Sequence, residues 1–169
     1  ALLTGKPGLP AQAEAPQDSN QMTVPAYARA QTYKSHRQSS YDRTGANRDS
    51  WPLEPGQTVN VFESDGPGII THIWFTIDAR SENHLKELVL RMYWEGASKP
   101  SVEVPIGDFF GLNLGDYFLY QSVFLNCSSI KGLNCYFSMP FRRSARVSVA
   151  NEGDKRVGSF YSNIDYQLM

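Results

Sequence analysis

A short polar stretch near residue 40 concentrates side chains that could bind a sugar. Six candidates lie on or just beyond Ser39–Asp49: Tyr41, Asp42, Arg43, Asn47, Asp49 and Trp51. Carboxylates and amides can hydrogen-bond to vicinal hydroxyls, while Tyr41 or Trp51 could stack on the sugar ring. Asp42, Asn47 and Asp49 could instead hold a hard cation through oxygen ligands. The simplest alternative is a self-contained turn, in which Asp and Asn side chains cap nearby backbone amides.

Two other places carry groups with possible chemistry. His72 and Trp74 alternate with apolar residues in a strand-like run, so they should share its less apolar face and serve either as a site or as an interface. Asp108 stands beside Phe109. Apolar rings could raise the pKa of this carboxyl and suit it to general-acid catalysis. Otherwise Asp108 caps a turn and Phe109 is buried.

The two cysteines allow two interpretations. Cys127 and Cys135 flank a probable turn at Lys131-Gly132, and a hairpin there would set them opposite each other, close enough for a disulfide. They could equally be buried thiols. Asn126 begins an Asn-Cys-Ser glycosylation triplet. Together with a chain that begins at Ala1, these features predict an exported protein.

Composition excludes several function classes. Sixteen basic and 17 acidic residues give a formal net charge of −1, without the basic excess of a nucleic-acid-binding domain. No apolar stretch is long enough to span a membrane. The sequence also contains no zinc-ligand spacing, phosphate-binding loop or GxGxxG motif. We therefore expect no metal, no cofactor, no nucleic acid and no membrane partner.

The elements that must position these residues are strands. From Thr58 onward apolar residues alternate with period two, and about eight short runs bounded by turn residues favour an all-β sandwich. In residues 69–77 the alternation places Ile69, Thr71 and Ile73 on the same face. The strand count favours a jelly roll, while an immunoglobulin-like sandwich also fits the periodicity.

The chain is predicted to have three parts. Residues 1–24 are rich in Pro, Ala, Gln and Gly and read as an extended arm that is flexible or exchanged between subunits. Residues 25–57 are expected to form a short helix over 25–36 and then a polar loop. Residues 58–169 are predicted to form the single jelly-roll-type β-sandwich.

Five segments together resemble glycoside hydrolase family 172. They are SSYDRTGANRDSW (39–51), DGPGIITHIWFTI (65–77), LRMYWEGASKPSVEVPIGDFFG (90–111), LNCYFSMPFRRSARVSVANEG (133–153) and IDY (164–166). The resemblance implies a double jelly roll that hydrolyses α-linked fructofuranosides or arabinofuranosides with two glutamates. It also implies trimers or higher multiples, with active sites at subunit boundaries. The glutamates belong to the family's second jelly roll, and no residue here matches either. No catalytic residue is therefore assigned.

Two functions follow from this resemblance. The first is a non-catalytic protein that assembles with copies of itself, in multiples of three or six or as a tube or filament. The alternative is one half of a retaining furanosidase, completed by a second jelly-roll chain or domain. In either case a furanoside carbohydrate is a possible ligand, and the activity of this chain alone stays open.

Overall fold

The computed structural model describes residues 28–129 and 131–169 and is built almost entirely of strands. Thr32–Met169 form one compact unit. Twelve strands and two single-turn helices follow in this order: β1 Lys34–Ser39, β2 Trp51–Leu53, β3 Thr58–Asp65, β4 Gly68–Ala79, α1 His84–Glu87, β5 Leu88–Trp94, β6 Val102–Pro105, α2 Ile106–Phe109, β7 Tyr120–Gln121, β8 Leu125–Ser128, β9 Gly132–Cys135, β10 Met139–Phe141, β11 Ser144–Asn151 and β12 Val157–Leu168. In the described part of the chain, no helix is long and apolar enough to cross a bilayer.

The strands form two antiparallel sheets whose order is that of a jelly roll. Sheet A runs β1-β12-β4-β9-β8-β7, with β10 added to β4 and β2 added to β12; sheet B runs β3-β11-β5-β6. Strands from the beginning of the chain thus lie beside strands from its end in both sheets. This non-local pairing within two sheets, of eight and four strands, confirms the predicted all-β sandwich.

The core lies between the sheets and explains the period-two pattern. Ile73, Phe75 and Ile77 of β4 are buried on the face of sheet A that meets sheet B, as the alternation predicts. Earlier in β4 the alternation shifts, because Thr71 is an extra residue opposite the Asp165–Tyr166 step of β12. This β-bulge turns Ile70 into the core. The prediction that Ile69 and Thr71 share the inner face of Ile73 is therefore wrong.

The predicted helix over residues 25–36 is also wrong in its described part. Lys34–His36 belong to β1, which pairs antiparallel with Asn163–Leu168 of β12. The apolar and polar residues here have no strong β pattern, and pairing with a long neighbouring strand overrides local helix propensity. The predicted arm, residues 1–24, lies outside the described residues. The polar loop holds one further strand, β2, paired with β12.

The β8–β9 hairpin exists, but its register differs from the predicted one. Cys127 lies opposite Leu133, and Cys135 lies opposite Leu125, so the cysteines are diagonal neighbours on one face rather than a facing pair. Both are buried, and neither forms a disulfide. Burial raises the pKa of Cys135 to about 11. The turn is centred one residue earlier than expected, and of the two interpretations the structure has the buried thiols rather than the Cys127–Cys135 disulfide.

Candidate functional site

The outer face of sheet A, the face turned away from sheet B, carries a row of hydrogen-bonded polar side chains. At its β1 end, Arg37 donates from Nε and Nη2 to Asp165 on β12, over 2.6 and 2.9 Å. His72 on β4 places Nδ1 3.3 Å from the second carboxylate oxygen. Arg37 first, and His72 after it, hold the pKa of the Asp165 carboxyl below its usual range. Three strands are thereby joined by one ionised carboxylate.

The polar row continues across β9 to β8. His72 Nε2 lies 3.1 Å from Asn134 Oδ1. Asn134 in turn donates from Nδ2 to Asn126 Oδ1 over 2.8 Å and to Ser128 Oγ over 3.2 Å. Asn134 is buried, so these partners satisfy an amide that would be costly to leave unpaired. We call Arg37, Asp165, His72, Asn134 and Asn126 the polar row.

Aromatic rings flank the polar row. Tyr136 stacks on His72 with ring centroids 4.6 Å apart and planes 10° from parallel. Trp74 follows His72 on the same face of β4 and lies opposite Asn163 of β12 and Asn134 of β9. This face therefore combines flat rings with hydrogen-bonding groups, the combination that sugars and other polyhydroxylated ligands require.

The loop between β1 and β2 is held by its own hydrogen bonds. Asp42 accepts from the backbone N and Oγ1 of Thr44 through Oδ1, and from the backbone N of Arg48 through Oδ2. These bonds keep the pKa of Asp42 below its usual range. Asp49 accepts from the Asp42 backbone N over 2.8 Å. Ser40 Oγ donates to the Asp49 carbonyl. The loop is thus a preorganised turn.

These bonds leave little capacity for the cation alternative, because both Asp42 oxygens are already engaged. Across residues 28–129 and 131–169, no three His, Cys, Asp or Glu side chains are grouped to hold a metal ion. The sharp bend falls at Gly45, whose φ of +81° is a conformation that L side chains rarely adopt. Ala46, which follows it, does not have a positive φ and is accommodated without backbone strain.

Two clefts lie where this loop meets sheet A. One, of about 360 Å³, is lined by Ser39, Ser40, Tyr41, Asp49, Trp74, Tyr161, Ser162 and Asn163. The other, of about 720 Å³, lies beside Asp42, Asn47 and Arg48 and shares Tyr161 with the first. The structure thus brings Trp74 of β4 together with Tyr41 and Asp49 of the loop. We call the first cleft the aromatic cleft.

Several candidates lie elsewhere. Trp51 is half-buried and packs against the core, and it does not line either cleft. Asp108 pairs with Lys86 over 2.5 Å, and Phe109 packs against Phe110 with centroids 5.0 Å apart. Asp108 is therefore a paired surface carboxylate away from the polar row. It forms an ion pair with Lys86 rather than the predicted turn cap, and Phe109 is half-buried rather than buried. Arg43 is exposed, with its guanidinium carbon 5.5 Å from the Tyr41 ring centroid.

A second histidine lies in a buried setting outside the site. His84 Nδ1 donates to the Ser81 carbonyl over 2.8 Å, so its Nε2 accepts from the Tyr117 hydroxyl over 3.0 Å. Burial lowers the pKa of His84, although the bond to Ser81 and the charges of Glu87 and Asp78 oppose the shift, while Lys131 adds to it. The pair ties the segment before β7 to α1, and we assign it a structural role.

Sequence reasoning missed half of the site. Arg37 directly follows the helix predicted over residues 25–36, so its position on strand β1 was not predicted, and Asp165 is named only within the IDY motif. Asn134 interrupts the apolar alternation of Leu133 and Cys135, which was the available indication of a polar outward position. Tyr161 and Asn163 alternate with the core residue Ile164 in the same way. The sequence alone does not show which of these side chains meet, because the contacts are made by pairing between strands that are distant in the chain.

Comparison with known proteins identifies a related family. A family model described as GH172 domain-like matches residues 44–164, well over half of the chain. The matched span includes the second half of the loop, all of β4 and the β8–β9 hairpin. No curated protein matches the chain.

Proposed function

The chain belongs to the GH172 domain-like family and is a relative of glycoside hydrolases; from this premise we propose that the outer face of sheet A binds a furanoside and that the catalytic acids come from a second jelly roll. In this proposal the chain is the sugar-recognising, non-catalytic half of a retaining α-fructofuranosidase or α-arabinofuranosidase.

The aromatic cleft is the observation that carries the proposal. Trp74, Tyr41 and Tyr161 offer ring faces, while Asp49 and Asn163 offer polar groups within the same cleft. Its volume of about 360 Å³ falls in the range of small-ligand pockets. The loop and the polar row are both hydrogen-bonded before any ligand arrives, so binding would cost little conformational entropy.

Two carboxylates on this side of the molecule, Asp165 and Asp42, support a non-catalytic role. Retaining hydrolysis requires two carboxyls about 5 Å apart, of which one must hold a proton. Asp165 is ionised between Arg37 and His72, and Asp42 is ionised by the donors of its own turn. For both, the folded environment lowers the pKa, which is the opposite of what a general acid needs.

Binding can be tested by titrating the chain with methyl α-arabinofuranoside and methyl α-fructofuranoside while following tryptophan fluorescence. We expect saturable binding that Trp74→Ala and Tyr161→Ala each weaken at least tenfold, since each removes a stacking face. Tyr93→Ala is the matched control, because Tyr93 lies on sheet B against Arg146. Equal binding by wild type and both cleft variants would contradict the proposal, as would a preference for methyl α-glucopyranoside.

Catalysis needs a separate assay. The 169-residue chain should not release nitrophenol from p-nitrophenyl α-arabinofuranoside, whereas a mixture with a second jelly roll that supplies two glutamates should. Hydrolysis by the pure chain would contradict the non-catalytic assignment while leaving the binding site intact.

A second candidate function is self-assembly into rings, tubes or filaments. The observation that favours it is a group of exposed apolar side chains beside β7 and β8, including Phe118, Leu119, Val123 and Phe124. Monomeric proteins rarely leave large contiguous apolar surface in water. Electron microscopy and native mass spectrometry of the chain test this role directly. A monomer at every concentration would refute it.

A further inference from the structure

A further cleft lies on the outer face of sheet B, the face turned away from sheet A. It has a volume of about 240 Å³ and is lined by the end of β3, the beginning of β11 and the turn after β5. Arg146 stands between the buried Ala145 and Val147 of β11, so its side chain points away from the core. The other charged residues of the cleft are Glu63 and Asp65. We call it the charged cleft.

Sheet pairing sets the side chains of the charged cleft next to one another. Arg146 lies opposite Glu63 of β3 and opposite Tyr93 of β5, so these three residues form one row across the sheet. Ser144, two residues before Arg146 and therefore on the same face, lies opposite Asp65. Neighbouring strands are about 4.8 Å apart, so one small ligand can reach the guanidinium and both carboxylates.

The Arg146 side chain is held in place while its hydrogen-bond donors stay unused. Its guanidinium carbon lies 3.8 Å from the centroid of the Tyr93 ring, a stacking contact that holds arginine by its flat face. In the part of the chain that the structure describes, this guanidinium makes no hydrogen bond and no ion pair. Arg91 of the same face differs, because it pairs with Glu103 over 2.7 Å and with Glu152 over 2.5 Å. The donors of Arg146 are therefore available to a ligand.

The β3 wall of the charged cleft is fixed by a side chain from the other sheet. The Gln38 amide donates from Nε2 to the Glu63 carbonyl over 2.8 Å and accepts from the Glu63 backbone N through Oε1 over 3.1 Å. It thus pairs with β3, an edge strand of sheet B, as a neighbouring strand would. The place of Glu63 in the row is set before a ligand binds, which lowers the entropy cost of binding.

The turn after β5 forms the opposite wall and is held against backbone strain. Glu95 has a φ of +59°, which is unfavourable for a residue with a Cβ atom. Its carboxylate accepts from the backbone N of Arg142 and of Arg143, each over 2.7 Å, and these bonds hold the pKa of Glu95 below its usual range. Arg143 Nη2 also donates to the Glu95 carbonyl over 2.8 Å. Strained backbone that is clamped in this way is typical of ligand sites.

The charges of the cleft determine which ligand it can bind. Glu63 and Asp65 are negative and Arg146 is positive. A simple anion would pair with Arg146 but be repelled by two carboxylates, and a simple cation would be repelled by the guanidinium. A zwitterion with its two charges on neighbouring groups pairs with all three. A carboxylate matches the fork of donors on arginine, and an ammonium group supplies three donors for carboxylate oxygens.

We propose that the charged cleft binds a small zwitterion of the α-amino acid class, with its carboxylate on Arg146 and its ammonium group between Glu63 and Asp65. Tyr93 positions the guanidinium by stacking. The site lies on the other outer face of the sandwich from the aromatic cleft and does not depend on sugar binding there.

The test is a titration of the ¹⁵N-labelled chain, followed by amide chemical shifts, with three related probes at up to about 50 mM, a range that covers millimolar dissociation constants. L-serine carries both charges, N-acetyl-L-serine keeps only the carboxylate, and L-serinamide keeps only the ammonium group. We expect L-serine to give saturable shifts in residues 63–65, 93–97 and 144–146. The dissociation constant of each analogue should be at least tenfold larger, because each lacks one set of charge-assisted hydrogen bonds.

Three variants assign the contacts. Arg146→Gln should weaken L-serine binding at least tenfold and remove its advantage over L-serinamide. Asp65→Asn should weaken L-serine binding but strengthen that of N-acetyl-L-serine, because it removes a carboxylate that repels the anion; a general loss of structure would weaken both. Arg142→Gln removes the same charge from an exposed side chain outside the cleft and should leave all three dissociation constants within about twofold.

The wild-type titrations decide the matter even if a variant fails to fold. Absence of saturable shifts with L-serine, or equal dissociation constants for the three probes, would overturn the proposal. Shifts confined to residues outside the charged cleft would also overturn it. Saturation of this cleft by methyl α-arabinofuranoside, with L-serine inactive, would make it a second sugar site and refute the zwitterion. Sugar binding on sheet A is read from different amide signals, so either proposal can fail without the other.

Discussion

Replacing Asp165 with Asn tests whether the polar row stabilises sheet A as its geometry implies. Asp165 accepts two bonds from Arg37 and faces His72. Charge-assisted hydrogen bonds contribute about 1.5–3 kcal/mol when shielded from water. The Arg37 side chain is 58% exposed, so solvent screening reduces the expected loss in Asp165→Asn to about 1–1.5 kcal/mol. For a domain of this size, that lowers Tm by about 2–5 °C.

The pH dependence of this loss gives a sharper check. Because the folded structure lowers the pKa of Asp165, its contribution is fully present above the ordinary carboxyl pKa near 4 and is lost as pH falls through the lowered value. Urea unfolding of wild type and variant should therefore show a gap at pH 7 that closes below about pH 4. Asp154→Asn, at an exposed turn position, is the control. An equal loss in the control, or a gap unchanged at pH 3, would refute this reasoning.

Three further predictions concern buried groups. Since burial lowers the pKa of His84, the unfolded chain binds more protons than the folded one just below pH 6.5. The free energy of unfolding should therefore fall as pH drops through that region, and His84→Gln should reduce this dependence on pH. An equal pH dependence in wild type and His84→Gln would contradict this prediction. Ser162 has a buried hydroxyl without a partner among the described residues, so calorimetry should find Ser162→Ala neutral or stabilising. Ser40→Ala is the contrast: the Ser40 hydroxyl donates to the Asp49 carbonyl and accepts from the Ser162 backbone N, so its loss should lower the free energy of unfolding by about 1–2 kcal/mol. Cys127 and Cys135, both buried with raised pKa values, should react with Ellman's reagent at pH 8 only after unfolding; rapid native reaction would contradict their burial.

The sandwich was predictable because its strands obey a local rule. Alternation along residues 73–77 reports which side chains face the core, and burial enforces that pattern. The rule fails where pairing adds or shifts a residue. The bulge at Thr71 and the register of the Cys127 hairpin depend on the neighbouring strand, which a single stretch of sequence does not encode.

The candidate site was predictable only where its chemistry is local. The loop residues Tyr41, Asp42 and Asp49 stand close together in the chain, so their grouping is visible at once. Arg37 and Asp165 are separated by 128 positions and meet only because β1 pairs with β12. The helix predicted over residues 25–36 includes the first three residues of β1, and this wrong prediction hid the strand that carries Arg37.

The charges of the polar row bear directly on catalysis. Asp165 could act as an acid only if it released Arg37 and His72, and Asp42 only if it released the donors that close its turn. Either release would loosen the β1–β12 edge or the loop that holds Tyr41 over sheet A. Protonation of either carboxylate therefore competes with the hydrogen bonds that hold this face together. If this face takes part in glycoside hydrolysis, its contribution is to bind and orient the sugar, and the proton must come from a carboxyl outside the polar row.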